Sequence, residues 1–321
     1  MGGGADTAKE NSPESTGAMA PAISDDFGIF AIVDSLPATP DETQNPFPNM
    51  TDLIPLEDTC ADIVGKAMRG LKLTDADVAA KAGVTAEAVA SLKGGDFDET
   101  TARAVAPVLA IGADALVAMG KKEWRPQPED VAGLACFNTP FEDMTVNSYL
   151  VFDHETGEAV AFDTGADCSG MLEFLAGQKL TLKLILLTHT HGDHILELDR
   201  LKEKTGAPAF VGNREPIDGA ETFGEGREFR AGALRIETRL TWGHSPGGIT
   251  YVISGLERPV AVNGDAVFAS SMGGGGVSYA DALRTNREQI LTLPDNTVLC
   301  PGHGPLTTVG EEKAHNPFFA V

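Results

Sequence analysis

The segment Thr188-His189-Thr190-His191-Gly192-Asp193-His194, set directly behind the apolar run Leu184–Leu187, constrains the chain most. An apolar run that gives way to polar, glycine-containing sequence reads as a strand delivering a loop. The loop packs three imidazoles and a carboxylate into six residues. Neutral imidazole and carboxylate are the ligands that borderline divalent metals prefer, so the loop is a metal-site candidate. The competing reading is a solvated polar loop with chance histidines. Against it, five of the seven histidines lie in this loop or in two motifs downstream, Trp242-Gly243-His244-Ser245-Pro246 and Pro301-Gly302-His303-Gly304-Pro305.

Around these motifs strands and helices alternate. Asn147–Asp153 and Glu158–Asp163 read as paired strands about the turn His154-Glu155-Thr156-Gly157. A helix follows at about 169–177, and the strand Thr181–Leu187 delivers the histidine loop. Ile195–Lys204 reads as helix, with strands near 207–211, 233–240, 249–254 and 259–263. Ser278-x-x-Asp281 caps a helix running to about Leu293, and the strand Thr297–Cys300 delivers His303. Strands and helices with ligands on strand-end loops suit a sheet-on-sheet sandwich covered by helices.

The order His189-x-His191-x-Asp193-His194, then His244, then Asp265 in Asn263-Gly264-Asp265-Ala266-Val267-Phe268, then His303 resembles the metallo-β-lactamase superfamily over about residues 131–321. Within it, Pro301-Gly302-His303-Gly304-Pro305-Leu306-Thr307-Thr308, followed by Glu312 and Asn316-Pro317-Phe318, is similar to the glyoxalase II-like hydrolases. The resemblance implies a four-layer αββα sandwich in the α/β class. It also implies two divalent metal ions, zinc first, with iron or manganese as alternatives. One would sit on His189, His191 and His244, the other on Asp193, His194 and His303, with Asp265 bridging. Two such cations about 4 Å apart hold a hydroxide at neutral pH, because metal binding lowers the pKa of water to about 7. Asp193 would hold and aim it. Asp163, in Phe162-Asp163-Thr164-Gly165, is expected to orient a ligand from behind, with a plain turn residue as the alternative.

The activity implied is hydrolysis of a thioester or ester. Glutathione-cleaving relatives carry a helical C-terminal extension that is not found after His303 here, which leaves the substrate open. The loop Met272–Ser278 and Tyr279 are expected to rim the pocket. An iron-dependent persulfide dioxygenase, a lactonase and a phosphodiesterase remain as alternatives on the same fold. The dioxygenases use one iron held by two histidines and an aspartate, whereas His194 and Pro301-Gly302-His303 argue for two metals.

Residues 1–50 are rich in Gly, Pro, Ser, Asp and Glu, with Lys9 their only basic side chain, and read as a largely disordered acidic tail. Phe27–Val33 is the exception, a candidate edge strand. Residues 51–125 read as a small all-α domain and linker, and 126–321 as the catalytic domain. Thr74 caps a helix Asp75–Ala82, Thr85 caps Ala86–Lys93, and Gly83 and Gly94 end them. Helices at about 58–71, 98–109 and 113–119 complete the set. Leu73-Thr74-x-x-x-Val78-Ala79-x-x-Ala82-Gly83-Val84-Thr85-x-x-x-Val89 resembles the helix-turn-helix of phage-repressor-like domains. The would-be recognition helix Ala86–Lys93 carries one acid and, at its end, one lysine, which is poor equipment for phosphates and base edges. Packing, partner docking or self-association is therefore expected of it, rather than a DNA-binding regulator with a metal-sensing domain.

A formal charge of −23 disfavours nucleic acid and anionic membrane as partners and leaves a small-molecule substrate. Cys60, Cys136, Cys168 and Cys300 form no C-x-x-C pair, and no apolar run of membrane-spanning length occurs. The expectation is a soluble, cytoplasmic protein.

Overall fold

The computed structural model describes residues 54–127 and 129–321. The acidic tail and the edge strand expected at Phe27–Val33 lie outside the described residues.

Two six-stranded sheets face each other. The first takes β1 (Leu134–Phe141), β2 (Met144–Asp153), β3 (Glu158–Phe162), β4 (Thr181–Leu186), β5 (Ala209–Gly212) and β6 (Glu221–Phe223) in sequence order. The second runs β12 (Thr307–Thr308), β11 (Val298–Pro301), β10 (Val260–Gly264), β9 (Ile249–Ser254), β8 (Leu234–Leu240), β7 (Glu228–Ala231). Alternation along each strand sorts side chains to two faces. Tyr149, Val151, Val160 and Phe162 meet Ile236, Tyr251, Ile253 and Val262 between the sheets. Leu150, Phe152, Ala159 and Ala161 turn outward beneath α6 (Ser169–Gly177), with Leu198 and Leu201 of α8 (Leu198–Thr205) packed in the same layer. On the other side Ala261 and Leu299 pack with Ile290, Leu293 and Val309, the last from α10 (Val309–His315). Burial on both faces explains why stretches such as Ala159–Phe162 of β3 and Val260–Val262 of β10 are apolar at every position rather than alternating. The result is the four-layer αββα arrangement.

Strand direction positions the site. β3 and β4 are parallel, so Asp163 and the histidine loop emerge side by side. β8 and β10 both run antiparallel to β9, and β11 runs parallel to β10. The C-terminal ends of β8, β10 and β11, which lead to His244, Asp265 and His303, therefore share one edge. Tyr149 Oη donates to Pro301 O (2.6 Å), and Tyr251 Oη donates to Leu187 O (2.7 Å), tying the sheets together at that edge.

Five helices precede the sandwich: α1 (Cys60–Leu71), α2 (Asp75–Ala82), α3 (Ala86–Lys93), α4 (Glu99–Val105) and α5 (Ala113–Lys121). Thr59 and Thr74 close capping boxes with Asp62 and Asp77, and Thr85 and Asp98 cap the next two helices. The apolar faces of these helices do not close on themselves alone. Their core takes in Met272, Tyr279 and Ala282 around α9 (Tyr279–Thr285), and Phe318 from the C-terminal stretch. Gly112 N donates to Pro317 O at 2.7 Å, and a side chain at Gly112 would collide with the Ala320 carbonyl. No helix among the described residues is long and apolar enough to cross a membrane.

Candidate metal centre

β4 ends at Leu186, and the chain then turns through Thr188 and His189 into the short helix α7 (Gly192–Ile195). Asp163 holds this turn. Its backbone lies in the left-handed region (φ 56°), one residue past β3. Its carboxylate accepts the Thr188 N–H (2.7 Å), the Thr188 hydroxyl (2.7 Å) and His194 Nδ1–H (2.8 Å). The Thr188 hydroxyl, having spent its proton on Asp163, accepts from His189 Nδ1 at 3.0 Å. One buried carboxylate thus fixes two imidazoles and leaves the Nε2 atom of each turned toward the ligand cluster.

His244 and His303 are held from behind by backbone carbonyls. His244 Nδ1–H donates to Gly274 O (3.0 Å) and His303 Nδ1–H donates to Thr145 O (2.7 Å), again leaving Nε2. These backbone partners carry no sequence signal. Gly302 is another part of the cradle, since any Cβ there would collide with Asp265 Oδ1 and lie 2.6 Å from His194 Cε1.

The free ligand atoms converge in two sets. His191 Nδ1 lies 3.1 Å from His189 Nε2 and 3.0 Å from His244 Nε2, and His244 Nε2 lies 3.2 Å from Asp265 Oδ2. On the other side Asp193 Oδ2 lies 3.2 Å from His303 Nε2 and 3.5 Å from His194 Nε2. Asp265 reaches this set too, with Oδ1 at 3.3 Å from His194 Nε2 and Oδ2 at 3.5 Å from His303 Nε2. Metal–nitrogen bonds of about 2.0–2.1 Å in a tetrahedral shell put neighbouring ligand atoms roughly 3.3 Å apart. The observed spacings fit that edge. His194 Nε2 and Asp265 Oδ1 are fully buried with no hydrogen-bond partner, which is costly unless a cation completes them. Asp163 could be grouped with His189 and His194 as a ligand by distance. Its oxygens already hold three donors, so it supports the ligands instead.

The electrostatics suit a site that binds positive charge. Burial raises the Asp265 carboxyl, but His303 and His194 overcome that and hold it well below the usual carboxylate range. Burial lowers His194, yet Asp265 and Asp163 outweigh it and push it up to about 10. His303 is likewise opposed by burial and is carried up to about 11 by Asp265 and Asp193. Protons on these two imidazoles take the place that cations would fill.

All seven residues expected as ligands are thereby brought together, with Asp163 behind them. Tyr279, expected at the pocket rim, is placed elsewhere. Its ring lies on Gly70 of α1 and edge-on to Phe318 (centroids 6.4 Å apart), inside the core shared with the helices. Packing against α1 claims that ring, and its sequence neighbourhood gave no sign of so distant a partner. Cys300 is buried between the sheets. The four cysteines are all free.

Comparison with known proteins follows the same outline. The chain is 29% identical to a probable metallo-hydrolase, YqgX, of Bacillus subtilis over 208 residues, 56% of this chain and 94% of that one. It is 28% identical to the hydroxyacylglutathione hydrolase GloC of Haemophilus influenzae, covering 54% of this chain and 92% of that one. Among solved structures it is similar to the B3 metallo-beta-lactamase BLEG-1 (TM-score 0.51, 30% identity, 58% of this chain and 100% of that one). It is also similar to ETHE1 from Myxococcus xanthus (TM-score 0.52, 28% identity, 58% and 84%). The sequence model of the Metallo-beta-lactamase superfamily matches residues 142–303, half of the chain and the stretch that holds every ligand position, so the chain belongs to that superfamily of metal-dependent hydrolases.

Proposed function

We propose that the protein hydrolyses a thioester or ester at a two-metal centre, with zinc the first expectation for both ions and iron or manganese the alternatives. The observation that carries this is the pair of complete ligand sets sharing Asp265. When bound, two divalent cations supply Lewis acidity and lower the pKa of a coordinated water to about 7. The residues do the rest. Asp265 spans both ligand sets and offsets part of the positive charge. Asp193, fixed between His194 and His303, has carboxylate capacity left to hold and aim a water at the scissile carbonyl. No protein nucleophile is required: Cys300 is sealed between the sheets, where burial pushes its thiol well above the usual range.

The surroundings suit a neutral acyl group. Three of the exposed large apolar side chains flank the ligand loops. Met144 precedes Thr145, whose carbonyl holds His303. Leu196 lies two residues after His194. Val277 donates its N–H to Gly243 O (3.0 Å), beside His244. Likeness to a hydroxyacylglutathione hydrolase supports a thioester in particular. The helices before the sandwich are best read as packing elements, since their apolar faces go into the shared core.

The test is a panel of thioesters, lactones, phosphodiesters and β-lactams, assayed with the metal-loaded full chain while dissolved oxygen is followed. Thioester or ester cleavage should dominate, without oxygen uptake. Failure to cleave either class would refute the reading, and oxygen consumed in step with product would replace it with the dioxygenase.

A further inference from the structure

Glu57 belongs to the segment leading into α1, and that segment lies against the turn that carries His303. A Cβ at Gly304 would lie 3.3 Å from Glu57 N and 3.6 Å from Glu57 Cβ, and 3.7 Å from the Pro55 carbonyl oxygen. Gly304 takes a left-handed backbone (φ 76°), and the approach of this segment closes the space a side chain would need. Glu57 is also within electrostatic reach of the ligand cluster. Its carboxyl is raised chiefly by burial; His303 opposes that, Asp58 adds to it, Lys66 opposes it and Asp265 adds the least, and Glu57 acts in turn on His303.

The segment is pinned at both ends. Ile54 O accepts from Arg125 Nη2 (2.8 Å). Asp58 accepts from Lys66 and from the Ser271 hydroxyl (2.5 Å), and Lys66 Nζ donates onward to Met272 O (2.8 Å). Thr59 closes the capping box of α1. Glu57 alone is left over: half-buried, it has no hydrogen-bond or ion-pair partner among the described residues. Lys66, the nearby cation, is committed to Asp58 and Met272.

A partly desolvated carboxylate without a partner, carried on a pinned segment, recovers its cost only when a donor reaches it, and it repels an anion that does. We propose that Glu57 is a specificity-determining residue at the mouth of the metal centre, selecting substrates that carry a cationic or hydrogen-bond-donating group on the His303 side and rejecting those with an anion there. This rests on the hydrolase reading for its kinetic arm only.

The experiment uses the metal-loaded full chain with Glu57→Gln and Glu57→Lys. Two thioethers, which have no scissile bond and differ only in ending with an ammonium or a carboxylate, are titrated by calorimetry. The matching thioesters are assayed for kcat/KM. The parent should prefer the ammonium form, Gln should lower that preference by about tenfold, and Lys should invert it. Metal content should stay at the parent value. Equal preference in all three proteins would overturn the proposal, as would loss of metal in Glu57→Gln. If the thioethers are discriminated but neither thioester is cleaved, Glu57 keeps its role and the hydrolase reading falls.

Discussion

The two halves of the ligand cluster push His189 and His244 one way and His194 and His303 the other. Around His189, His191 and His244, Asp265 is the one carboxylate among the described residues that groups with all three histidines. There burial dominates, pulling His189 well below its usual pKa and His244 below it as well. Around His194 and His303 three carboxylates gather, Asp163, Asp193 and Asp265, and the imidazoles are carried up instead. The first half also opens to solvent through His191, whereas the second is buried. Ligand identity alone would not separate the two halves; the placement of carboxylates does. In the first, His189 and His244 are held as neutral bases ready for a cation. The second stores protons that a cation must displace, so acid should compete with metal most strongly there.

Asp265 is where this contrast should collapse. Asp265→Ala removes the carboxylate common to both halves, so both metals should bind weakly. We expect activity to fall by about a thousandfold or more, with metal content below one per chain by elemental analysis. Retention of one tightly held metal would mean that one half is sufficient without the bridge.

Asp163→Asn should sharpen the contrast. It keeps the size but weakens the grip on His194 Nδ1 and on Thr188, at the back of the second set. Metal affinity in that half should drop by roughly 10–100-fold, as for other groups that orient a ligand. A competitive chelator titration should show one site weakened much more than the other. Equal weakening of both would show that the Thr188–His189 link matters as much as His194.

The smallest effect concerns metal-stripped protein. His194 and His303 have folded pKa values raised above the unfolded one. Their contribution to stability is therefore complete below about pH 6.5 and is lost as pH rises through about 10 and 11. Melting temperature of the stripped protein should fall across that alkaline window, while metal-loaded protein should hold its value. A flat profile for the stripped protein would contradict the charge assignment of the second half.

Much of this was legible in the chain because the signals were local. The caps at Thr74, Thr85 and Ser278, the strands β4 and β10, and the histidine motifs lie within a few residues of what they specify. What was missed is set by distant partners. The helix expected over Ile195–Lys204 is broken into α7 and α8, because the His194 carbonyl accepts from Thr164 N (2.8 Å) and Glu197 N donates to the Thr164 hydroxyl (3.2 Å). The helix expected to reach Leu293 gives way to a π turn at Asn286–Ile290, where Asn286 Nδ2 donates to Ala266 O (2.7 Å) and Arg239 donates to Gln289 O (2.8 Å). β1, with Pro140 near its end, and the short strands β6, β7 and β12 carry too little periodicity to stand out. Glu57 had no local mark at all; only the fold brings it to His303.

The central claim is a shared dinuclear centre, and stepwise reconstitution tests it most directly. Metal is added in measured equivalents to stripped full chain, and activity toward the best substrate of the panel is read at each step. Activity should keep rising until two equivalents per chain are bound and then stay level. Full activity at one equivalent, with no further gain at the second, would contradict it.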